Sequence, residues 1–202
     1  MGQGEDRPSA ADLLATLPED RLADVIYQYG EERRSRRIAR AIVEARTSSD
    51  PTRQVAIRTT GGLANLIQRA VPSSPGAEPG RSKRGRKPGK GSQRRGPHRR
   101  RPLIHPATRT FQALRIAVND EIGELERVLA ALPEILSAGG RVAILSFHSL
   151  EDRPVKLRFR DLGSQPGWRL LTKKPLVADE TEVAGNPRSR SAKLRVLERL
   201  PR

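Results

Sequence analysis

The spacing of apolar residues changes once along this chain, from a helical period to a mixed pattern of helices and strands. In residues 9–72, apolar side chains recur every three or four positions, for example at Leu22, Val25 and Ile26. This part therefore predicts a small all-helical domain. Residues 1–8 lack any such pattern, and we expect them to be a disordered start.

Capping patterns place the ends of several of these helices. Ser9 and Asp12 have capping-box spacing at the start of the first helix. A longer helix is predicted over 31–46, and Thr59 or Thr60 is expected to cap the last one.

Residues 104–202 mix helices with short strands, which predicts an α/β arrangement. Helices are expected over 105–119 and from 120 to about 135. The apolar run 142–145 is typical of a fully buried strand in a parallel sheet. Two later strands, 168–172 and 193–200, are expected to pair antiparallel at one edge of the sheet.

Polar residues crowd the position where the strand 142–145 should end. In open α/β sheets the carboxyl ends of the strands are where ligands bind, so this loop is the leading candidate for a site. Its polar residues are Ser146, His148, Ser149, Glu151 and Asp152.

A helix start is predicted in the same loop. Ser149 and Asp152 have the spacing of a capping box. Pro154 would fall in the second turn of a helix that starts at Ser149, where a missing N–H and a ring clash cost about 3 kcal/mol. We therefore expect the regular helix to begin later, near Asp152.

Charge points to the kind of partner. The 202 residues include 39 Lys and Arg against 23 Asp and Glu, a net charge of +16. Nucleic acid is favoured over membrane, because no apolar run approaches the roughly 18 residues of a spanning helix. An aromatic content of 3% argues against a platform for stacked bases. The absence of cysteine excludes disulfides and thiolate zinc sites and is compatible with the cytoplasm, where we place the protein.

Most of the excess charge lies in one segment. Eleven Lys and Arg residues, and no acid, lie between Gly80 and Arg101. Residues 73–103 therefore predict a disordered basic linker. Two interpretations stay open, a flexible arm that binds phosphates and a solvated insertion without a role.

A second group of basic residues lies on a predicted helix. Arg33, Arg37 and Arg40 share one face of the helix over 31–46. Such a stripe is more often a solvated face held by local ion pairs than a binding surface, and we favour that interpretation here.

Two other chemistries are disfavoured by the motifs. Ser146, His148 and Asp152 do not form a hydrolase triad, because Ser146 lacks the G-x-S-x-G elbow and closeness in sequence does not make a triad. His98, His105 and His148 lack the paired spacing of metal ligands, and no metal is expected.

Four blocks of the sequence carry a specific resemblance. HPATRTFQALRI from His105, SFHSLEDR from Ser146 and NPRSRSAKLR from Asn186 resemble the C-terminal blocks of one family. YGEER from Tyr29 together with RIARAI from Arg37 is the fourth block and resembles its helical segment. The family is the bacterial small-subunit ribosomal RNA cytosine-N4 methyltransferases (RsmH, also called MraW). The resemblance runs from the first predicted helix to the last strand, except for the basic linker.

This resemblance implies both a fold and an activity. The fold would be an α/β, class I (Rossmann-like) methyltransferase sheet, incomplete here, with an inserted all-helical domain. The activity would be S-adenosylmethionine-dependent N4-methylation of a cytidine in the decoding region. The partner would be small-subunit ribosomal RNA or the small ribosomal subunit.

The resemblance also assigns roles to residues. We expect Ser146, His148, Ser149 and Asp152 to line the cytidine pocket, where hydroxyl and imidazole groups bind a base edge. Phosphate contacts are expected from Arg109, Arg188 and Arg190 and from the basic arm.

The family's glycine-rich turn for the cofactor has no counterpart in this sequence. Gly61-Gly62 follows no apolar strand, and Gly139-Gly140 precedes a strand instead of following one. We therefore expect the cofactor-binding residues to lie upstream of Met1. The chain would then be truncated at its N-terminus, with no cofactor-binding residues of its own and no activity alone.

An alternative to this truncated enzyme stays open. The chain could be a noncatalytic basic RNA-binding module derived from such an enzyme. S-adenosylmethionine binding by the chain distinguishes the two hypotheses.

Overall fold

The computed structural model describes residues 8–71 and 105–201. These residues form two compact units, of which the first ends at Asn119 and the second begins at Asp120. The described part of the first unit is helical throughout, and the second unit combines helices with a sheet. The predicted linker 73–103 lies outside the described residues, as does the predicted start from Met1 to residue 7.

Six helices make up the described part of the first unit. Ser9 caps the first of them in a complete capping box, and Thr59 caps the fifth by accepting the Gly62 N–H, as predicted. The helices are α1 (Ala10–Thr16), α2 (Glu19–Gly30), α3 (Ser35–Arg46), α4 (Pro51–Ala56), α5 (Thr60–Ala70) and α6 (Ala107–Asn119).

The predicted helix over 31–46 is shorter than expected. α2 extends to Gly30, and Glu31 then takes a left-handed conformation with φ 48°. Regular helix resumes only at Ser35. The acids at the start of the predicted helix therefore belong to the turn between α2 and α3.

One apolar core joins these helices. It includes Leu22 and Ile26 of α2, Ile38 and Ile42 of α3 and Leu114 of α6, all nearly inaccessible to solvent. α2 packs against both α3 and α6. This packing places α6 in the helical unit, although the sequence grouped it with residues 104–202. The predicted boundaries of the functional domains remain a prediction.

The second unit is built from three helices, a 3₁₀ helix and three strands in its described part. They are α7 (Glu121–Ile135), β1 (Arg141–Ser146), α8 (Ser149–Gly163), β2 (Trp168–Leu170), α9 (Glu180–Gly185), the 3₁₀ helix Pro187–Ser191 and β3 (Lys193–Arg199).

The three described strands form a sheet in the order β1-β3-β2. β3 is antiparallel to both neighbours, with Val142 opposite Leu197 and Leu170 opposite the same residue. The predicted antiparallel pairing of the two later strands is confirmed. Because both outer strands oppose β3, β1 and β2 run parallel to each other, and α8 forms the crossover between them.

The prediction that β1 is a fully buried strand in a parallel sheet is wrong for the described residues. Its one partner there is the antiparallel β3, and Arg141, Ala143 and Leu145 are exposed. Val142 and Ile144 face the other way, onto the core of the unit. The described helices cover only one face of β1. The strand has apolar residues on both of its faces, but only one face is buried.

The predicted late start of the next helix is also wrong. α8 begins at Ser149, with His148 as its N-cap residue, and Pro154 lies inside it. Ser149 is not the cap because the His148 side chain accepts the Glu151 N–H in its place. The reciprocal acid is Glu151, which accepts the Phe147 N–H. The helix therefore tolerates the proline rather than avoiding it.

Arginine side chains hold the elements of the α/β unit together. Pro133 has no N–H for the Leu129 carbonyl one turn earlier, and Arg158 Nε of α8 donates to that oxygen at 3.1 Å. Arg199 of β3 donates to the carbonyls of Pro133 and Leu136 at the end of α7.

The start of α7 has no side-chain cap. Asp120 occupies the cap position with φ 50°, but its side chain makes no cap hydrogen bond. Its carboxylate pairs with Arg127 at 2.8 Å instead.

No described helix has both the length and the hydropathy that crossing a bilayer requires.

Candidate functional site

The candidate site lies at the carboxyl end of β1, in the loop that leads into α8. Ser146 ends the strand, Phe147 follows, and His148 caps the helix. β1 and β2 are parallel strands joined by a helix, and ligands in such α/β units bind outside the carboxyl ends of the strands. The loop is thus in the position that the sequence predicted for it.

The His148 ring is oriented by the helix that it caps. Its Nδ1 accepts the Glu151 N–H at 3.4 Å, so in the neutral ring the proton is on Nε2. Nε2 is buried and lies 3.2 Å from Glu151 Oε1, at an angle that does not make a hydrogen bond. The ring therefore holds one polar atom that no well-formed contact satisfies.

Glu151 is held on its other side by the backbone. Its Oε2 accepts the Phe147 N–H at 2.8 Å. Burial raises the pKa of Glu151, but the adjacent His148 side chain and the hydrogen bond from the Phe147 N–H outweigh burial, and the pKa lies below its ordinary value. A charged Glu151 thus closes the loop around Phe147 and His148.

Asp152 is turned away from the loop toward β3. Its two oxygens accept from Arg195 Nε at 2.7 Å and Nη2 at 3.2 Å, and Lys193 Nζ lies 3.3 Å away. The Arg195 hydrogen bonds are the main reason that the pKa of Asp152 is lowered. Both oxygens are engaged, so Asp152 anchors the first turn of α8 to the central strand of the described sheet.

The remaining loop residues differ in exposure. The Ser146 hydroxyl is buried and has no hydrogen-bond partner among the described residues. Ser149 is exposed, and Phe147 is 49% exposed. A large aromatic side chain therefore lies at the surface between two polar residues.

Phe147 was not among the site residues predicted from the sequence. The low aromatic content argued against base stacking, but one exposed ring at the right place is enough for one base. Its position at the end of an apolar strand was the signal that could have identified it.

Glu121 was also missed. It lies with His148 and Glu151 so that one oxygen or nitrogen of each falls within 4.8 Å of the others. These three side chains are of types that ligate metals, but the nitrogen facing Glu151 is the one that carries the proton. A metal there would require the proton to move to Nδ1, which would break the hydrogen bond that Nδ1 accepts from the Glu151 N–H.

The predicted phosphate-binding arginines fall in both units. Arg109 lies on α6 of the helical unit, where it donates to the Glu31 carbonyl at 3.3 Å and lies 3.7 Å from Glu32. Arg188 and Arg190 lie on the 3₁₀ helix of the α/β unit, and both are exposed. The basic arm lies outside the described residues.

The described residues do not fit a cradle for S-adenosylmethionine. Such a cradle needs glycine where a strand ends, so that the backbone can approach the cofactor. Ser146 ends β1 and Phe147 follows it, and Leu171 and Thr172 follow β2. The expectation that the cofactor-binding residues lie upstream of Met1 concerns no described residue, and it stays a prediction.

One glycine of the helical unit does allow a close approach. A Cβ at Gly30 would lie 2.6 Å from the Arg109 carbonyl oxygen. The group that approaches Gly30 is therefore the backbone of α6, and not a ligand.

The fold and the loop define an α/β protein that has polar residues at the carboxyl end of a strand, where ligands commonly bind, and a strong positive charge. Comparison with known proteins gives the family. A family model described as "MraW methylase family" matches residues 1–200, and the chain belongs to this family.

Individual relatives agree with this result. Ribosomal RNA small subunit methyltransferase H of Nostoc punctiforme is 47% identical over 192 residues, which cover 95% of this chain and 52% of that protein. The proteins of the same name from a Methylobacterium species and from Rhodopseudomonas palustris are 46% and 43% identical. They cover 95% and 98% of this chain, and the chain covers 52% and 54% of them. The chain thus spans about half the length of the curated relatives it matches.

Proposed function

We propose that this chain forms part of an S-adenosylmethionine-dependent enzyme that methylates N4 of a cytidine in the decoding region of small-subunit ribosomal RNA. The observation that carries the proposal is a family match along nearly the whole chain. The parallel β1 and β2 with their α8 crossover support a Rossmann-like sheet. The all-helical unit supports the inserted domain.

The loop after β1 is assigned to the cytidine. Phe147 presents a ring on which a base can stack, and Ser149 next to it offers an exposed hydroxyl. Ser146 Oγ and His148 Nε2 are polar atoms without a hydrogen bond, suited to the O2, N3 and N4 positions of cytosine. Since both atoms are covered, their contact with a base requires the loop to open.

Asp152 acts as a positioning residue in this proposal. Its buried pair with Arg195 fixes the first turn of α8 and so the direction of the His148 ring. Orientation is the contribution that such a loop makes, because well-oriented reactants react faster by many orders of magnitude.

Arg188 and Arg190 are proposed to contact phosphates beside the loop, Arg109 to do so on the helical unit, and the arm 81–101 to add further contacts. No described residue is assigned to S-adenosylmethionine.

A chimera tests the proposal directly. Residues of this chain replace the matching 192-residue segment of the Nostoc punctiforme relative, and transfer of a labelled methyl group to small-subunit RNA is measured. We expect methylated RNA, and none when the target cytidine is replaced by uridine, which has no N4 amine. Absence of transfer by a folded chimera would overturn the proposal.

Two substitutions in the chimera test the loop. His148→Asn keeps a good N-cap residue while removing the imidazole, so it separates capping from base contact. Phe147→Leu keeps an apolar side chain but loses the stacking ring, which is worth about 1–3 kcal/mol per base. Both should raise KM or lower kcat without loss of folding, whereas Leu157→Ala, at a 47% exposed site on α8, should change neither.

The second candidate is a noncatalytic RNA-binding module. It is favoured by the net charge of +16 and by the lack of a glycine cradle in the described residues. Saturable heat on titration of S-adenosylmethionine into the intact chain would exclude the module. Without such heat the chimera decides, since RNA binding by a folded chimera that transfers no methyl group supports the module.

A further inference from the structure

The helical unit carries a groove between α3 and α5. Arg36, Arg37 and Arg40 line one end of it, and Arg53 and Arg69 line the other. Both ends share Ala41, Glu44 and Ala70, so they form one continuous depression. We call it the α3–α5 groove. Its two parts have cavity volumes of about 530 and 430 Å³.

The charge of the α3–α5 groove is nearly all of one sign. Five arginines line it, and Glu44 is its one acidic lining residue. Arg40 has a loose ion pair, 3.4 Å from Glu19 with 68% of its side chain exposed. Arg36 and Arg37 are exposed and have no ion pair with any described residue. Their guanidinium groups are therefore open to an incoming anion.

Helix stability does not explain this arrangement. Arg36 and Arg37 lie in the first turn of α3, which contains no acid, at the end where the helix dipole favours negative charge. Arg36 and Arg40 are also like charges at i, i+4 spacing, which destabilises a helix. A solvated face with local ion pairs was predicted for Arg33, Arg37 and Arg40, but of those three arginines Arg40 alone has an ion pair among the described residues.

The lining of the groove selects the kind of ligand. None of the lining side chains is aromatic, and Leu66 is the one large apolar residue among them. Such a groove offers no stacking surface and no apolar anchor for a peptide. Arginine matches phosphate oxygens in a bidentate geometry.

We infer that the α3–α5 groove binds the phosphate backbone of the RNA substrate. The inference rests on the proposed function for the identity of the RNA, and it adds a second binding surface, separate from the loop after β1. The groove contributes affinity without reading sequence, because its contacts go to phosphates.

The test uses the full chain and a labelled single-stranded RNA, with affinity measured over a series of KCl concentrations. The double variant Arg36→Gln/Arg37→Gln should reduce the slope of log K against log salt by about 1.4, since each single-strand phosphate contact contributes about 0.7. The control is Arg21→Gln/Arg58→Gln, which removes two exposed charges from the same unit outside the groove. The control should leave the slope unchanged.

A variant with the opposite expected effect on RNA affinity sharpens the test. Glu44→Gln removes the acid from the groove and should raise RNA affinity. An equal reduction of the slope by both double variants, or no reduction by the groove variant, would overturn the inference. Circular dichroism of each variant establishes that the helices are intact.

Binding to vesicles of anionic phosphatidylglycerol tests the alternative ligand, a membrane surface. Dependence of vesicle binding on Arg36 and Arg37, with RNA binding unaffected, would overturn the inference in favour of a membrane ligand. The outcomes also separate this inference from the proposed function. If the chimera is inactive but the double variant lowers the salt slope, the inference about the groove holds and the proposed function fails. If the chimera is active but the slope is unchanged, only the inference about the groove fails.

Discussion

The two units of the chain are stabilised in different ways. The described helical unit buries twelve apolar residues in one core and keeps its charges at the surface. The α/β unit buries six in its core, and it also buries Asp152, Arg195 and Glu198. Buried ion pairs are sensitive to the loss of either partner, whereas apolar contacts depend mainly on shape. The unit with the candidate loop is therefore the one whose geometry depends on specific charges.

One residue makes this difference measurable. Trp168 is the single tryptophan of the chain and packs against the core of the α/β unit. Its fluorescence reports unfolding of that unit, and the far-UV circular dichroism reports mainly the helices. The two signals therefore distinguish unfolding of the two units.

The largest expected effect follows from breaking the buried pair. Arg195→Met should destabilise the α/β unit by about 3–5 kcal/mol, because Asp152 would stay buried without its main partner. Denaturant unfolding followed by Trp168 fluorescence measures the change. Arg40→Met, which breaks an exposed pair in the helical unit, should cost less than about 1 kcal/mol.

A rescue variant tests whether the charge is the cause. Asp152→Leu combined with Arg195→Met should recover most of the lost stability, since an apolar pair replaces an ionic one. If Arg195→Met and Arg40→Met prove equally mild, the contrast between the two units fails.

Acid should have the next largest effect, again on the α/β unit. The pKa of Asp152 lies below its ordinary 3.8 because of Arg195, and that of Glu198 lies below 4.5 because of Arg141 and Arg169. Groups with lowered pKa stabilise the fold above their ordinary pKa and lose that contribution as pH falls through the lowered value. The Trp168 transition should thus weaken below about pH 4, and less so in Asp152→Asn, which starts from lower stability.

A gain of stability is expected at Pro154. Pro154→Ala restores an N–H inside α8 and should stabilise the α/β unit by up to about 3 kcal/mol. Pro133→Ala in α7 is the matched control and should gain less, because Arg158 already donates to the Leu129 carbonyl. Equal gains at both prolines would show that the arginine does not compensate.

The smallest effect distinguishes two glycines of the helical unit. Gly30→Ala should destabilise it by about 1–3 kcal/mol, because the new Cβ meets the Arg109 carbonyl oxygen at 2.6 Å. Gly61→Ala places its Cβ in open space and should stabilise α5 by about 0.5–1 kcal/mol. Circular dichroism melting curves measure both, and a neutral Gly30→Ala would show that α2 and α6 have room to separate.

Local signals were read correctly from the sequence. The capping box of Ser9 and Asp12 and the cap at Thr59 involve residues three positions apart, so the pattern contains both partners. The antiparallel pairing of the last two strands was also predicted, from their separation along the chain. Each of the two caps is decided within a few neighbouring residues.

Nonlocal contacts account for most of what the sequence did not predict. Asp152 has the spacing to cap a helix with Ser149, but Arg195, 43 residues later, takes its side chain. The cap is formed by His148 and Glu151 instead, and Pro154 lies inside the helix. The exposed face of β1 likewise depends on which elements pack against it, and apolar composition alone does not carry that information.

The order of the strands has a consequence for biosynthesis. β3 lies between β1 and β2 in the sheet but follows both along the chain. During translation, β1 and β2 emerge first and have no hydrogen bonds with each other in the final sheet. Arg141 and Glu198, which pair across β1 and β3, are 57 positions apart in the chain. The sheet can therefore form only after β3 has left the ribosome. Until then the nascent α/β unit exposes two strand edges, while α1 to α3 of the helical unit can already pack together.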